Sequence, residues 1–245
     1  MPDSYRVLCS DFYINQKLNV KLDLPRSRDT ALDLFERLRR QYPEMSSFRR
    51  HKDELALESP ARDVPHRWAA VRSNNIRSGV VNPEDEEQAY GLHRSILEVA
   101  PYFLSISPLD IEYLELLYGF DLAASGSHDR IVADALLAGS PLAALADLPG
   151  GQLVEFQPLL GALLNDTGDI EAHFEVKTRS GQREGTTTEP ISVYLTLRRY
   201  EPVRDVAELG ERFEELAEKG QQIVADCVVP GLLQPIKDSI VSGNL

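Results

Sequence analysis

Residues 169–178 read Asp-Ile-Glu-Ala-His-Phe-Glu-Val-Lys-Thr, and residues 190–200 read Pro-Ile-Ser-Val-Tyr-Leu-Thr-Leu-Arg-Arg-Tyr. Each alternates apolar with polar: Ile170, Ala172, Phe174 and Val176, then Ile191, Val193, Leu195 and Leu197. Strict alternation marks a strand with one buried and one wet face. The connection, Ser180 to Glu189, is polar and holds Gly181 and Gly185, which reads as a long hairpin tip. Successive strands with no helix between them disfavour a doubly wound parallel fold and point to antiparallel pairing. Residues 47–58 and 67–81 repeat the situation earlier in the chain, and residues 152–164 extend the later run.

Helices bracket these strands. Residues 5–13 and 18–24 read as strands, the second through Leu18, Val20, Leu22 and Leu24. Pro25 stops it, and Ser27 is an N-cap for a helix whose inner face is Ala31, Leu34, Phe35 and Leu38. Asn82-Pro83-Glu84-Asp85 reads as the next helix start, with Asn82 as cap and Pro83 at its first position. Ala89, His93, Ile96, Leu97 and Ala100 form its inward stripe, and Pro101 ends it. Residues 110–122 return to strand, and Ser127 caps another helix. The last helix carries Val206, Leu209, Phe213, Leu216, Gly220 and Ile223 at intervals of three and four, with Pro230 as its expected break.

The expected fold class is therefore α+β. A mostly antiparallel curved sheet carries helices on one face and a long C-terminal helix. Strand, helix, strands, helix occurs twice, so one domain over 1–245 with pseudo-repeats 1–105 and 106–245 is expected. The order resembles helix-grip or TATA-binding-protein-like architectures. That resemblance concerns the order of elements and carries no site residues across.

Composition narrows the function by exclusion. The 245 residues are 42% hydrophobic and 27% charged, as in ordinary globular proteins. A chain of this length buries roughly 70–75% of its unfolded surface. Cys9 and Cys227 lie in apolar contexts and read as two reduced core thiols. No secretory leader or membrane span is legible, so a cytoplasmic protein is expected. The chain has no Gly-rich phosphate loop, His-Glu-x-x-His, Cys-x-x-Cys or Gly-x-Ser-x-Gly. No catalytic residue, cofactor or metal is assigned, and a non-catalytic protein is favoured.

Charge is unevenly placed. The net charge of −13 divides into +4 over residues 1–80 and −17 over residues 81–245. Arg37, Arg39, Arg40, Arg49, Arg50 and Lys52 form the basic run and are the candidate partner-binding residues. Arginine suits bidentate carboxylate or phosphate partners. The acidic remainder would repel a polyanion, so nucleic acid is disfavoured and a protein partner or a second copy is favoured. Ligand or metal candidates lie on the alternating strands: Glu171, His173 and Glu175 on one, Tyr194 and Arg198 on the other. Two carboxylates flanking an imidazole could orient a base or hold a metal. The leading expectation is a protein-binding or self-associating protein. The alternative is a small-molecule binder or enzyme with a pocket between the sheet and the C-terminal helix, lined by Phe213, Leu216, Phe174, Leu195 and Leu197.

Overall fold

A computed structural model describes residues 3–25, 27–178, 189–200 and 202–243. The elements are α1 (Asp3–Arg6), β1 (Asp11–Val20), α2 (Arg28–Gln41), β2 (Ser47–His51), β3 (Glu54–Glu58), β4 (His66–Val71) and β5 (Asn75–Val81). Next come α3 (Glu86–Phe103), β6 (Ile111–Leu122), α4 (His128–Leu137), α5 (Ala143–Ala146), β7 (Leu159–Leu163), β8 (Ile170–Lys177) and β9 (Ile191–Arg199). The chain closes with α6 (Glu208–Ile223), a π-helical stretch (Val224–Leu233) and α7 (Gln234–Gly243).

Among the described residues the strands form one nine-stranded antiparallel sheet in the order β2-β3-β4-β5-β1-β6-β9-β8-β7. β1 and β6 pair at its centre, the last strand of each half, β5 or β9, lies beside them, and the earlier strands follow outward. The α+β class, the antiparallel sheet with helices on one face, and the repeated strand-helix order all agree with the sequence.

The two faces differ because side chains alternate along each strand. Phe12, Ile14 and Leu18 of β1 are fully buried toward the helices. Tyr118 on β6 marks where the helices cross. Its hydroxyl donates to the Ala217 carbonyl on α6 at 3.2 Å, and Tyr90 on α3 meets the same hydroxyl at 2.6 Å. One polar chain crosses this interior. Ser78 on β5 donates to Gln16 Oε1 at 3.0 Å, so its oxygen accepts from His93 Nδ1 on α3 at 2.8 Å. His93 is therefore a core histidine, as its place on the apolar stripe implied, bonded at Nδ1 while its buried Nε2 has no partner among the described residues.

Several boundaries are corrected. Residues 5–13 are not one strand, because α1 precedes β1, which runs unbroken through Asn15-Gln16-Lys17. The polar interruption is tolerated because Gln16 faces inward onto Ser78. The stretches 47–58 and 67–81 are each a hairpin, turning near residues 52–53 and 72–74. The α3 cap is Asp85, whose side chain accepts from Gln88 N, and not Asn82. Pro101 lies within the last turn of α3. Pro230 does not break the C-terminal helix, because the wider π-helical turns absorb its ring and missing donor. Only residues 159–163 of the 152–164 stretch form a strand. Cys9 is buried, but Cys227 is exposed on the outer side of the π-helical stretch and is not a core thiol. The expected hairpin tip, apart from Glu189, lies outside the described residues.

Candidate functional site

The five ligand candidates share the open, helix-free face of the sheet. Register places Glu171 opposite Arg198, His173 opposite Thr196 and Glu175 opposite Tyr194. The same rows continue onto β6 and β1: Arg198 to Glu115 to Lys17, and Tyr194 to Gly119 to Tyr13. The sequence therefore found one side of a wider polar surface. It missed Glu115, Lys17, Tyr13 and Asp121, because strands β1 and β6 had to be paired before these could be seen as neighbours.

That surface is neutralised from within. Glu115 lies between Arg198, at 2.5 Å, and Lys17, at 2.9 Å. Partial burial opposes the Arg198 charge, and the bond and charge of Glu115 outweigh it, holding the guanidinium protonated. Both cations also lie over the Tyr113 ring, 5.0 Å from Lys17 and 5.5 Å from Arg198. His173 Nε2 meets Glu171 at 3.1 Å, and Glu175 meets Lys177 at 3.4 Å. Tyr13 bonds Asp121 at 3.2 Å, and Ser192 donates to the same carboxylate at 2.6 Å. Burial, then the bond to Tyr194, pushes the Tyr13 phenol well above its usual range. Among the described residues no group of three or more His, Cys, Asp or Glu is arranged to hold a metal ion. These arrangements fix a polar face.

Aromatic rings lie flat along this face where glycine makes room. A Cβ on Gly119 would stand 2.1 Å from the Tyr13 ring, and one on Gly79 would stand 2.4 Å from Trp68. The helix-covered side is filled. Phe213, Leu216, Leu195 and Leu197 have no exposed surface, while Phe174 is half-buried toward the β7 edge. These residues pack the core between sheet and helix.

The basic run divides on folding. Arg37, Arg39 and Arg40 project from the outer side of α2, Arg49 and Arg50 sit on the edge strand β2, and Lys52 is in the hairpin turn. Arg49 pairs with Glu58 at 3.0 Å and Arg39 with Glu36 at 3.7 Å. Nearby, Arg67 pairs with Glu44, and Arg72 and Arg77 converge on Glu54. The Glu54 carboxyl is held below its usual range because the two arginines outweigh its burial. Among the described residues Arg37, Arg40, Arg50 and Lys52 are exposed and make no ion pair. Arg50 and Lys52, with His51, rim a groove of about 570 Å³ between α2 and the β2–β3 hairpin, floored by Ala31, Leu32 and Phe48.

No family model matches the chain, and no curated protein matches it. Among solved structures, it is similar to the crystal structure of the di-domain ARO/CYC BexL from the BE-7585A biosynthetic pathway. The TM-score is 0.20 at 10% identity, over 93% of this chain and 98% of that one. A superposition that loose supports no statement about activity or ligand. No described helix is long and apolar enough to cross a membrane.

Proposed function

We propose that the chain is a non-catalytic binding protein whose partner is another protein, a second copy of itself included, engaged through complementary charge. One observation carries this reading. Among the described residues Arg37, Arg40, Arg50 and Lys52 stand exposed without a carboxylate partner, the last two on the rim of a groove lined also by Leu32, Phe48 and Glu54, while residues 81–245 hold a net charge of −17. The candidate chemical groups of the open face, by contrast, are already spent on one another. A net charge of −13 opposes nucleic acid as the partner. The same reading takes the chain as one domain of two pseudo-repeated halves, supported by the mirrored strand order about β1 and β6.

Light scattering at low and high salt tests it. Charge-driven association raises the mass above 27.4 kDa at low salt and returns toward that value as salt screens the contact. The Arg50→Glu, Lys52→Glu double variant should lose the low-salt association. A mass indifferent to both salt and the double reversal overturns the self-association arm. An acidic polypeptide such as poly-glutamate that binds wild type and double variant equally overturns the charge argument altogether.

A further inference from the structure

The two edges of the sheet are built differently. β2 carries Arg49, Arg50 and His51, the charged residues with which natural edges are kept from pairing. β7 reads Leu-Leu-Gly-Ala-Leu, with no charge and no proline, and every residue is exposed. Leu159 and Leu163 are 67% and 63% exposed on the open face, and Leu160 is 59% exposed on the other. Of the sixteen large hydrophobic residues exposed among the described ones, seven fall within residues 142–163.

The hydrogen-bond phase of this edge is fixed. Val176 N donates to Pro158 O at 3.0 Å and Leu164 N to Ile170 O at 2.8 Å. Antiparallel bonding alternates residue by residue, so 158, 160, 162 and 164 face β8. Leu159, Gly161 and Leu163 therefore aim their N–H and C=O groups away from the sheet. Among the described residues nothing pairs with them.

We propose that a second copy of the chain pairs antiparallel with the first along β7, on a two-fold axis through Gly161. The strand is self-complementary about that glycine. Gly161 meets its own copy as a hydrogen-bonded pair, Leu159 meets Leu163 twice, and six backbone bonds close, all from groups already pointing outward. The leucine pairs lie on the open face, and Leu160 meets Ala162 on the other. Such a contact is isologous and closes on itself, so it stops at two copies. The nearest facing acids, Glu171 of one copy and Glu175 of the other, are three strand spacings apart, roughly 14 Å. That exceeds the screening length of about 10 Å at 0.1 M salt. A five-residue strand pairing buries less than the ~800 Å² per partner of a standard interface, so the dimer dissociates in the micromolar range.

Salt separates this dimer from the charge-driven association proposed above. Two copies of like net charge pair more tightly as salt rises, whereas the complementary-charge contact loosens. Sedimentation of the full chain in high salt, from micromolar to hundreds of micromolar, should carry the mass from 27.4 kDa toward twice that value. Leu163→Pro removes an outward N–H and leaves the bonds of 162 and 164 to β8, so that variant should stay folded and monomeric. Leu160→Lys should do the same by placing like charges at the contact. Hydrogen exchange on wild type gives a readout that needs no variant: the amides of Leu159, Gly161 and Leu163 should become protected as concentration rises. A wild-type chain that stays monomeric in high salt overturns the proposal. So does a dimer that forms without protecting those three amides, or a folded Leu163→Pro chain that dimerises like wild type.

Discussion

Gly220 on α6 lies so close to Tyr118 on β6 that a Cβ at position 220 would stand 2.3 Å from the ring. The contact lets the helix backbone descend onto the central strand and brings the Ala217 carbonyl within reach of the Tyr118 hydroxyl. Gly220→Ala must push α6 outward or move a fully buried ring, so it should destabilise the fold by about 1–3 kcal/mol despite alanine's better helix propensity. Tyr118→Phe keeps the ring but removes the buried hydrogen bonds to the Tyr90 hydroxyl and the Ala217 carbonyl, at a cost of about 1–3 kcal/mol. Urea unfolding of the two variants measures both. A Gly220→Ala chain as stable as wild type would show that the helix can ride higher without loss.

Burial of the His93 imidazole should make stability fall in mild acid. Desolvation lowers its pKa to about 3, against 6.5 for the free group, because the fully buried ring cannot take a second proton. The unfolded chain protonates this histidine below pH 6.5 and the folded chain does not. Stability from this group is complete above pH 6.5 and is lost as pH falls toward 3, by about 1.4 kcal/mol per unit. Urea midpoints at pH 7 and pH 5 should separate for wild type and separate less for His93→Gln. Equal separation in the two proteins would assign the acid sensitivity elsewhere.

The fold class was legible because its main cue is local. The alternation in β8 and β9, the Ser27 and Ser127 caps and the stripe of α6 all survive into the structure. What sequence reading lost were facts about pairing. Residues 47–58 gave one strand instead of a hairpin because Lys52-Asp53 is a weak turn signal. β1 was split at Asn15 because Gln16 is polar, and only its partner Ser78 explains why it can face inward. The site was half legible for the same reason. Periodicity placed Glu171, His173 and Glu175 on one face, but the carboxylate that holds Arg198 comes from Glu115, far away in sequence. The free basic residues could not be told from the paired ones until Glu58, Glu44 and Glu54 were in place.

Glu115 is the keystone of the open face. It is only 9% exposed and accepts from both Lys17 and Arg198. Glu115→Gln keeps the shape and leaves two cations of one row facing each other across β6. Both cations keep some contact with water, so the cost should fall below that of a fully buried broken pair, at about 1–2 kcal/mol. Adding Lys17→Met to Glu115→Gln should recover part of the loss, because one of the two unpaired charges is gone. A double-mutant cycle at low and high salt measures the coupling. Additive effects would mean that the cations are solvated independently of Glu115.

Asn82 shows how a residue suited to one motif can serve another. Its backbone sits at φ 52°, in the left-handed region, directly after β5. Its side chain turns back onto β1, accepting from Phe12 N at 3.0 Å and donating to Asp11 at 2.7 Å. Asparagine enters the left-handed region more readily than other side chains and is also a good helix cap, so its letter alone supports either role. The two roles predict different substitution ranks. A helix cap tolerates Ser, and Gly costs it only a few tenths of a kcal/mol. A left-handed staple does not tolerate Ser, which meets the backbone strain and cannot make both bonds. Asn82→Gly should keep the conformation and lose the two bonds, at about 1–2 kcal/mol. Asn82→Ala and Asn82→Ser should cost about 1 kcal/mol more than Gly through the strain at positive φ. Thermal or urea unfolding of the three variants decides it, and a serine variant more stable than the glycine variant would return Asn82 to a capping role.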